Sequence, residues 1–138
     1  ATMCVAGDTT IPAVKCFVED CGYTSVWDEF AAQMKEQFGL PEFPLMYVTS
    51  ALCKIKFGWS FGEASPLEQV RKCRKPMLFI HGGKDSYVPT RMVYPLYDAK
   101  PAPKELIVFR NTKHARSYSD YPLEYKRIVK RFVNRYIK

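Results

Sequence analysis

Three short apolar runs along the chain have the character of buried strands. They lie at 13–18, 77–80 and 106–109 and consist mainly of aliphatic, β-branched and aromatic residues. Continuous runs of this length, in place of strict alternation, are typical of parallel strands covered on both faces. The pattern therefore predicts at least three buried strands.

The segments between these runs carry helix signals. Ser25 followed by Asp28 fits a capping box, and Gly39 with Pro41 ends the helix that begins there. Apolar side chains recur at i, i+4 spacing along this helix. They predict its buried face, which comprises Val26, Phe30, Met34 and Phe38.

Further helices are predicted along the rest of the chain. One covers 44–57, one begins at Ser65-Pro66 and ends near Lys72, and one covers 90–99, where Pro95 should kink the helix or delay its start. Residues 1–6 resemble the end of a small-residue helix, closed by Gly7. The last helix has an apolar stripe of period 3.6, made of Tyr125, Ile128, Val129, Phe132, Val133 and Tyr136.

The order of elements is strand, helical insert, strand, helix, strand, helix. Buried strands that alternate with helices indicate the α/β class, with a parallel sheet covered on both faces. The 138 residues suit one domain. There is no internal repeat or low-complexity stretch.

The net positive charge of the chain leaves two interpretations of its surface open. The chain carries 21 Lys and Arg against 14 Asp and Glu, a net charge of +7. The basic residues are interleaved with apolar ones, which favours a solvated surface and no nucleic-acid or membrane partner. A small basic domain that binds such a partner through the last helix is the alternative. No apolar stretch approaches the roughly 18 residues of a membrane span.

The cysteines indicate neither a zinc site nor a disulfide framework. They are five, an odd number, and none forms a C-x-x-C pair. We therefore expect no metal and no cofactor, and a reducing compartment such as the cytoplasm. The five are Cys4, Cys16, Cys21, Cys53 and Cys73.

Two residues stand where α/β proteins place their chemistry. Asp85 follows the strand at 77–80, and His114 follows the strand at 106–109. Taken singly, an Asp in a glycine-rich turn usually caps that turn, and a loop His is usually surface. Together they fit one architecture, because carboxyl ends of adjacent parallel strands share an edge. The sequence predicts an acid–base pair, with His81 as a weaker candidate that packs beneath Gly82-Gly83.

Ser60 is a minority candidate for a nucleophile. Gly58-Trp59-Ser60-Phe61-Gly62 matches G-x-S-x-G, and it precedes Asp85 and His114 in the chain order of a hydrolase triad. A nucleophile elbow needs a buried strand directly before it and a helix directly after it. Lys54 and Lys56 interrupt the preceding segment. We therefore expect Ser60 to be a loop residue, and a complete small hydrolase that uses it is the alternative.

Several segments resemble a bacterial branch of the α/β-hydrolase superfamily, near the prolyl-oligopeptidase-like and dienelactone-hydrolase-like serine hydrolases. The similar segments are 18–26, 79–82 with Asp85 and Val88-Pro89, and His114-Ala115 with Ser117-Tyr118. The resemblance implies a partial α/β-hydrolase fold of about three parallel strands, the C-terminal portion of one domain. It further implies a helical cap insert at about 23–72.

The resemblance also implies roles for individual residues. Asp85 would orient and stabilise His114, which would act as general base and acid on a small ester or, less favoured, an amide. The serine and the oxyanion hole would lie upstream of residue 1, so this chain alone would be inactive. Cap and pocket residues would include Tyr23, Trp27 and Trp59. The uncovered sheet edge would favour self-association.

Overall fold

The central strand of the sheet is the most apolar run of the chain. The computed structural model describes residues 12–137. It contains three strands, namely β1 (Phe17–Asp20), β2 (Met77–Gly82) and β3 (Lys104–Phe109). All six residues of β2 are buried, and β2 pairs in parallel with β1 on one side and with β3 on the other. The predicted parallel α/β architecture is confirmed.

Six α-helices flank the sheet. In chain order they are α1 (Val26–Phe38), α2 (Leu45–Phe57), α3 (Pro66–Lys72), α4 (Val93–Ala99), α5 (Ser117–Asp120) and α6 (Pro122–Tyr136). A 3-10 turn at Thr90–Met92 leads into α4, so Pro95 falls in the first turn of that helix, where its missing N–H costs little. Of the two predicted effects of Pro95, a kink or a delayed start, the structure shows the delayed start. The suggested helix at 1–6 lies outside the described residues.

Local signals set several helix ends. The Ser25 hydroxyl accepts a hydrogen bond from the Asp28 N–H at 3.0 Å, and Gly39 caps the other end of α1 with a φ of 64°. The Ser65 hydroxyl accepts from the Glu68 N–H at 3.3 Å. These caps confirm the predicted start of α1 and of α3.

The first strand begins later than predicted. The apolar run at 13–18 gives a strand only from Phe17 onward. The reason lies in the pairing, because Phe17 stands opposite Met77, the first residue of β2. A ladder with β2 therefore cannot start earlier.

Two apolar cores cover the two faces of the sheet. Phe79 and Met77 pack with α3 and α4, chiefly through Val70 and Leu96. Leu78 and Ile80 face the other way and pack against α6. The predicted stripe of α6 is confirmed, since Ile128 and Phe132 are buried there. Within residues 12–137, none of the helices has the length and apolar character needed to cross a bilayer.

The predicted buried face of α1 is wrong. Phe30 and Phe38 are 44% and 68% exposed, whereas Glu29 and Ala32 are buried. The cause is tertiary. The helix lies between β1 and β2 in the chain, and its Ala32 packs against Val88 and Met92. Phe30 and Phe38 instead line an open groove beside the following helix α2.

Candidate active site

Two loops at the carboxyl edge of the sheet bring Asp85 and His114 together. Asp85 follows β2 and His114 follows β3, and these strands are neighbours. Asp85 Oδ2 lies 2.8 Å from His114 Nδ1. Because an ionised carboxylate only accepts hydrogen bonds, Nδ1 is the protonated nitrogen of this pair. The neutral ring then keeps Nε2 free of a proton.

Two glycines allow the two loops to approach each other. A Cβ on Gly82 would lie 2.6 Å from the Thr112 carbonyl oxygen, and one on Gly83 would lie 2.7 Å from that of Arg110. The Gly83 N–H donates to the Phe109 carbonyl at 2.8 Å, which ties the loop after β2 to the end of β3. The glycines therefore set the spacing between Asp85 and His114.

Hydrogen bonds hold the carboxylate in place. Asp85 Oδ1 accepts from the N–H groups of Tyr87 and Val88 at 3.0 and 2.9 Å. The Asp85 side chain is fully buried, while that of His114 is 35% exposed. The Tyr87 ring packs on the His114 ring with centroids 4.9 Å apart. The arrangement fixes the imidazole on one side and leaves part of it accessible.

Backbone strain concentrates at the same place. Cys21, directly after β1, has a φ of 60°, and Ala115, directly after His114, has a φ of 52°. Residues other than glycine rarely adopt this left-handed backbone conformation, and those that do cluster at functional sites. The Ala115 N–H donates to Cys21 Sγ at 3.3 Å, so the two strained residues support each other.

A cavity of about 380 Å³ opens beside His114. This volume lies in the range of small-molecule sites. Its walls come from the end of β1, from α1 and from the loops that carry the Asp–His pair. The lining residues are Asp20, Cys21, Tyr23, Val26, Glu29, Phe30, Gln33, Tyr87, Val88, His114 and Ala115.

The suggested pocket residues separate in the structure. Tyr23 lines the cavity beside His114. Trp27 lines a different cavity of about 590 Å³, together with Lys35 and Arg91. Trp59 is 41% exposed and packs near the Phe61 ring. The structure therefore groups Tyr23, but neither tryptophan, with the Asp–His pair.

Ser60 and His81 have other surroundings. Ser60 lies in the loop after α2, so a helix and not a strand precedes it. Its hydroxyl donates to Glu63 at 2.9 Å, and Lys54 together with Ser60 lowers the pKa of Glu63 to about 2. His81 is fully buried, with Nε2 at 3.0 Å from the Val88 carbonyl oxygen. His81 Nε2 also lies 3.5 Å from Asp85 Oδ2, which is longer than the 2.8 Å contact of His114, and the His81 side chain is fully buried.

One group of side chains has the donor types of a metal site. Ligand atoms of Cys21, Asp85 and His114 all lie within 4.8 Å of one another. Thiolate, imidazole and carboxylate are ligands that zinc accepts. Both Asp85 oxygens, however, already accept hydrogen bonds from the Tyr87 and Val88 N–H groups and from His114. The same carboxylate cannot orient His114 and ligate a metal at full strength.

Sequence reasoning did not single out Glu29, and it treated Cys21 only as one of five thiols. Both line the cavity beside His114. An acidic residue in the first turn of a helix usually complements the helix dipole, so Glu29 gives no distinctive signal. Burial raises the pKa of the Cys21 thiol, with Asp20 adding to the effect. No sequence pattern marks that burial.

A relative of known sequence matches most of this chain. The chain is 31% identical over 118 residues to the uncharacterized protein YqkD of Bacillus subtilis, and the match covers 86% of this chain and 39% of that protein. It matches no protein-family model. The chain thus spans less than half of the length of this relative.

Solved structures give a closer view of the fold. The esterase Pf2001 of Pyrococcus furiosus superposes with a TM-score of 0.69 at 23% identity, over 99% of this chain and 49% of the esterase. The esterase domain of a Rhodothermus marinus protein gives 0.66 at 18% identity, over 99% and 56%. The acylaminoacyl peptidase of Pyrococcus horikoshii gives 0.65 at 19% identity, over 95% and 21%.

These proteins share one architecture, in which parallel strands alternate with flanking helices. This chain reproduces three neighbouring strands of that architecture and the helices around them, over about half of the Pyrococcus furiosus esterase. The chain has the α/β-hydrolase fold.

Proposed function

We propose that this chain supplies the acid and the general base of a serine hydrolase that cleaves carboxylic esters. The observation that carries the proposal is the 2.8 Å contact between Asp85 Oδ2 and His114 Nδ1 at the carboxyl edge of the sheet. The similarity to two esterases supports the ester as substrate, and the similarity to an acylaminoacyl peptidase keeps an amide as the second choice.

The proposed mechanism follows from the tautomer of His114. Nε2 accepts the proton of a serine hydroxyl while the serine oxygen forms a bond to the carbonyl carbon of the ester. Asp85 stabilises the imidazolium that results. His114 then gives the proton to the leaving alkoxide as the C–O bond breaks, and a water molecule releases the acyl group by the same two proton transfers.

The nucleophile and the oxyanion hole belong, in this proposal, to sequence upstream of residue 1. The similar esterase is about twice as long as the matched region, which supports a larger parent protein. The Ser60 alternative is disfavoured by its surroundings, because a helix precedes Ser60 and Glu63 holds its hydroxyl. The chain by itself is then inactive.

Hydrolysis of p-nitrophenyl acetate tests the proposal. This chain alone should show background hydrolysis, whereas a longer protein that includes the upstream sequence should turn over. In that longer protein, His114→Gln and Asp85→Asn should each lower kcat by roughly 10³- to 10⁴-fold. Ser60→Ala is the matched control and should leave turnover unchanged. Turnover by this chain alone that disappears in Ser60→Ala would contradict the proposal.

A further inference from the structure

The cavity beside His114 is acidic, although the chain as a whole carries a net charge of +7. Asp20 and Glu29 line it, and among the described lining residues there is no Lys or Arg. Asp85 is buried next to it. A cavity with negative charge in a positively charged protein favours positively charged ligands.

Glu29 is the lining residue whose hydrogen bonding is incomplete. Its side chain belongs to a residue that is only 7% exposed. Oε1 accepts from Gln33 Nε2 at 3.0 Å, whereas Oε2 is buried with no hydrogen-bond partner among residues 12–137. A buried carboxylate oxygen without a donor is costly and rare, so it requires an explanation.

The position of Glu29 is fixed relative to the Asp–His pair. The Gln33 amide donates both to Glu29 Oε1 and to the Tyr87 carbonyl oxygen, which lies on the Asp85 loop. Burial raises the pKa of Glu29, His114 opposes this shift, and Asp85 and Glu36 add to it. Glu29 and His114 also line the same cavity, so the carboxyl faces the space beside the imidazole.

Asp20 does not offer a comparable free acceptor. Its Oδ1 accepts from the Cys21 thiol at 3.1 Å, and its Oδ2 accepts from the Tyr125 hydroxyl at 3.0 Å. Rings of Tyr23, Phe30 and Tyr87 line the same cavity, and aromatic faces attract cations. One free carboxylate oxygen among aromatic rings suits a compact cation that has an N–H donor for that oxygen.

We propose that Glu29 determines substrate specificity by binding a primary ammonium group, and that the substrates are esters or amides of small amino acids. This inference rests on the proposed hydrolase function, since the ammonium is placed beside the base His114. A guanidinium would bring five donors to one free oxygen, and a quaternary ammonium would bring none. A primary ammonium carries three donors on one compact nitrogen. One of them supplies the donor that Oε2 lacks, and the positive charge neutralises the carboxylate and faces the aromatic rings of the cavity.

Binding of two isosteric amides to this chain tests the inference without any need for turnover. Glycinamide carries an ammonium where propionamide carries a methyl group. At neutral pH, glycinamide should bind about 10- to 100-fold more tightly, as a charge-assisted hydrogen bond implies. Isothermal titration calorimetry or NMR titration of the labelled chain measures both affinities.

Two variants separate the role of Glu29 from general electrostatics. Glu29→Gln should abolish the preference for glycinamide and leave the affinity for propionamide unchanged. Glu36→Gln is the matched control on the same helix, because Glu36 pairs with Arg91 outside this cavity, and it should keep the preference. In the unmodified chain, the side-chain amide signals of Gln33 should shift on addition of glycinamide.

The inference is overturned if the unmodified chain shows no preference for glycinamide, whether both amides bind or neither does. It is also overturned if the preference survives in Glu29→Gln. Neither result depends on hydrolysis, so the proposed function stands or falls separately with the p-nitrophenyl acetate assay.

Discussion

Both carboxylate oxygens of Asp85 accept hydrogen bonds, and this determines which ring nitrogen of His114 carries the proton. Oδ1 accepts two backbone N–H groups and Oδ2 faces His114 Nδ1. The carboxylate is thereby fixed before any substrate arrives, which is the preorganisation that catalysis by an acid–base pair requires. The tautomer of His114 is the direct consequence, and it can be observed.

We expect Asp85→Asn to weaken the preference of His114 for the Nδ1–H tautomer. An amide side chain can present either an oxygen or an NH₂ group to the ring, so it no longer selects one tautomer. Nitrogen-15 NMR of the imidazole measures the populations in this chain. Asp98→Asn, at an exposed aspartate, is the control and should change nothing. An unchanged tautomer in Asp85→Asn would remove the basis for the proposed role of Asp85.

Glu19 on β1 is a second buried acid, and its protonation affects the stability of the fold. The residue is 4% exposed. Burial, with a contribution from Asp20, raises its pKa from 4.5 to about 8. The folded chain therefore holds a proton on Glu19 in a pH range where the unfolded chain has lost it.

The free energy of unfolding should fall as the pH rises from about 4.5 to about 8, because the folded state binds more protons in that window. In Glu19→Gln, the side chain does not titrate, so this loss of stability is absent. Relative to the unmodified chain, the variant should gain on the order of 5 kcal/mol across the window, at about 1.4 kcal/mol per pKa unit. Urea unfolding at a series of pH values measures the difference. Parallel curves for the two proteins would exclude this role, and the exposed control Glu124→Gln should give such parallel curves.

At the scale of elements, the turn after β2 decides whether the Asp–His pair can form. Gly82 and Gly83 let the turn pack directly on the backbone of the turn after β3. A side chain of any size at these positions would meet backbone oxygens, which cannot move aside as a flexible side chain can. The turn therefore couples the stability of the sheet edge to the geometry of the site.

Gly83→Ala should destabilise the chain by about 2 kcal/mol or more, because its Cβ would lie 2.7 Å from the Arg110 carbonyl oxygen. It should also lengthen the Asp85–His114 hydrogen bond, visible as an upfield shift of the Nδ1 proton. Chemical denaturation measures the stability. Gly62→Ala is the control, since its Cβ would meet nothing within 4 Å. Equal stabilities of the two variants would contradict this account of the turn.

The sequence predicts those elements whose causes are local. Features that depend only on neighbouring residues were predicted correctly. They are the cap at Ser25, the end of α1 at Gly39 and the proline in the first turn of α4. The sequence also places Asp85 and His114 on one edge, since strand order alone does that. It fails for the inner face of α1, because packing of Ala32 against Val88 and Met92, which lie far along the chain, determines which side of that helix is covered.

For the whole molecule, the exposed apolar surface is the main feature that sequence patterning did not reveal. α2 was predicted as a helix, yet among its residues only Met46 and Ser50 are buried. β1 pairs with β2 along one edge, and its other edge has no strand partner among the described residues. Large exposed apolar side chains on and around α2 are Phe38, Leu40, Phe43, Leu45, Tyr47, Val48, Leu52, Ile55, Phe57 and Trp59.

This surface should make the isolated chain self-associate as its concentration rises. Ile55→Lys should reduce the association, because it places a charge in the middle of the apolar surface of α2. Leu123→Lys is a matched control, since Leu123 on α6 is 84% exposed and Ile55 is 82% exposed. Analytical ultracentrifugation measures the association. A chain that stays monomeric at high concentration would contradict the prediction.

The position of Glu29 has a consequence for how such a protein changes over evolutionary time. The acid–base pair lies on turns of the sheet, whereas Glu29 lies on a helix inserted between β1 and β2. In the proposed hydrolase, the groups for reactivity and for substrate selectivity therefore lie in separate segments of the chain. A library that randomises the inward positions of α1 and leaves both turns intact should yield variants with new substrate preferences at low risk to the chemistry.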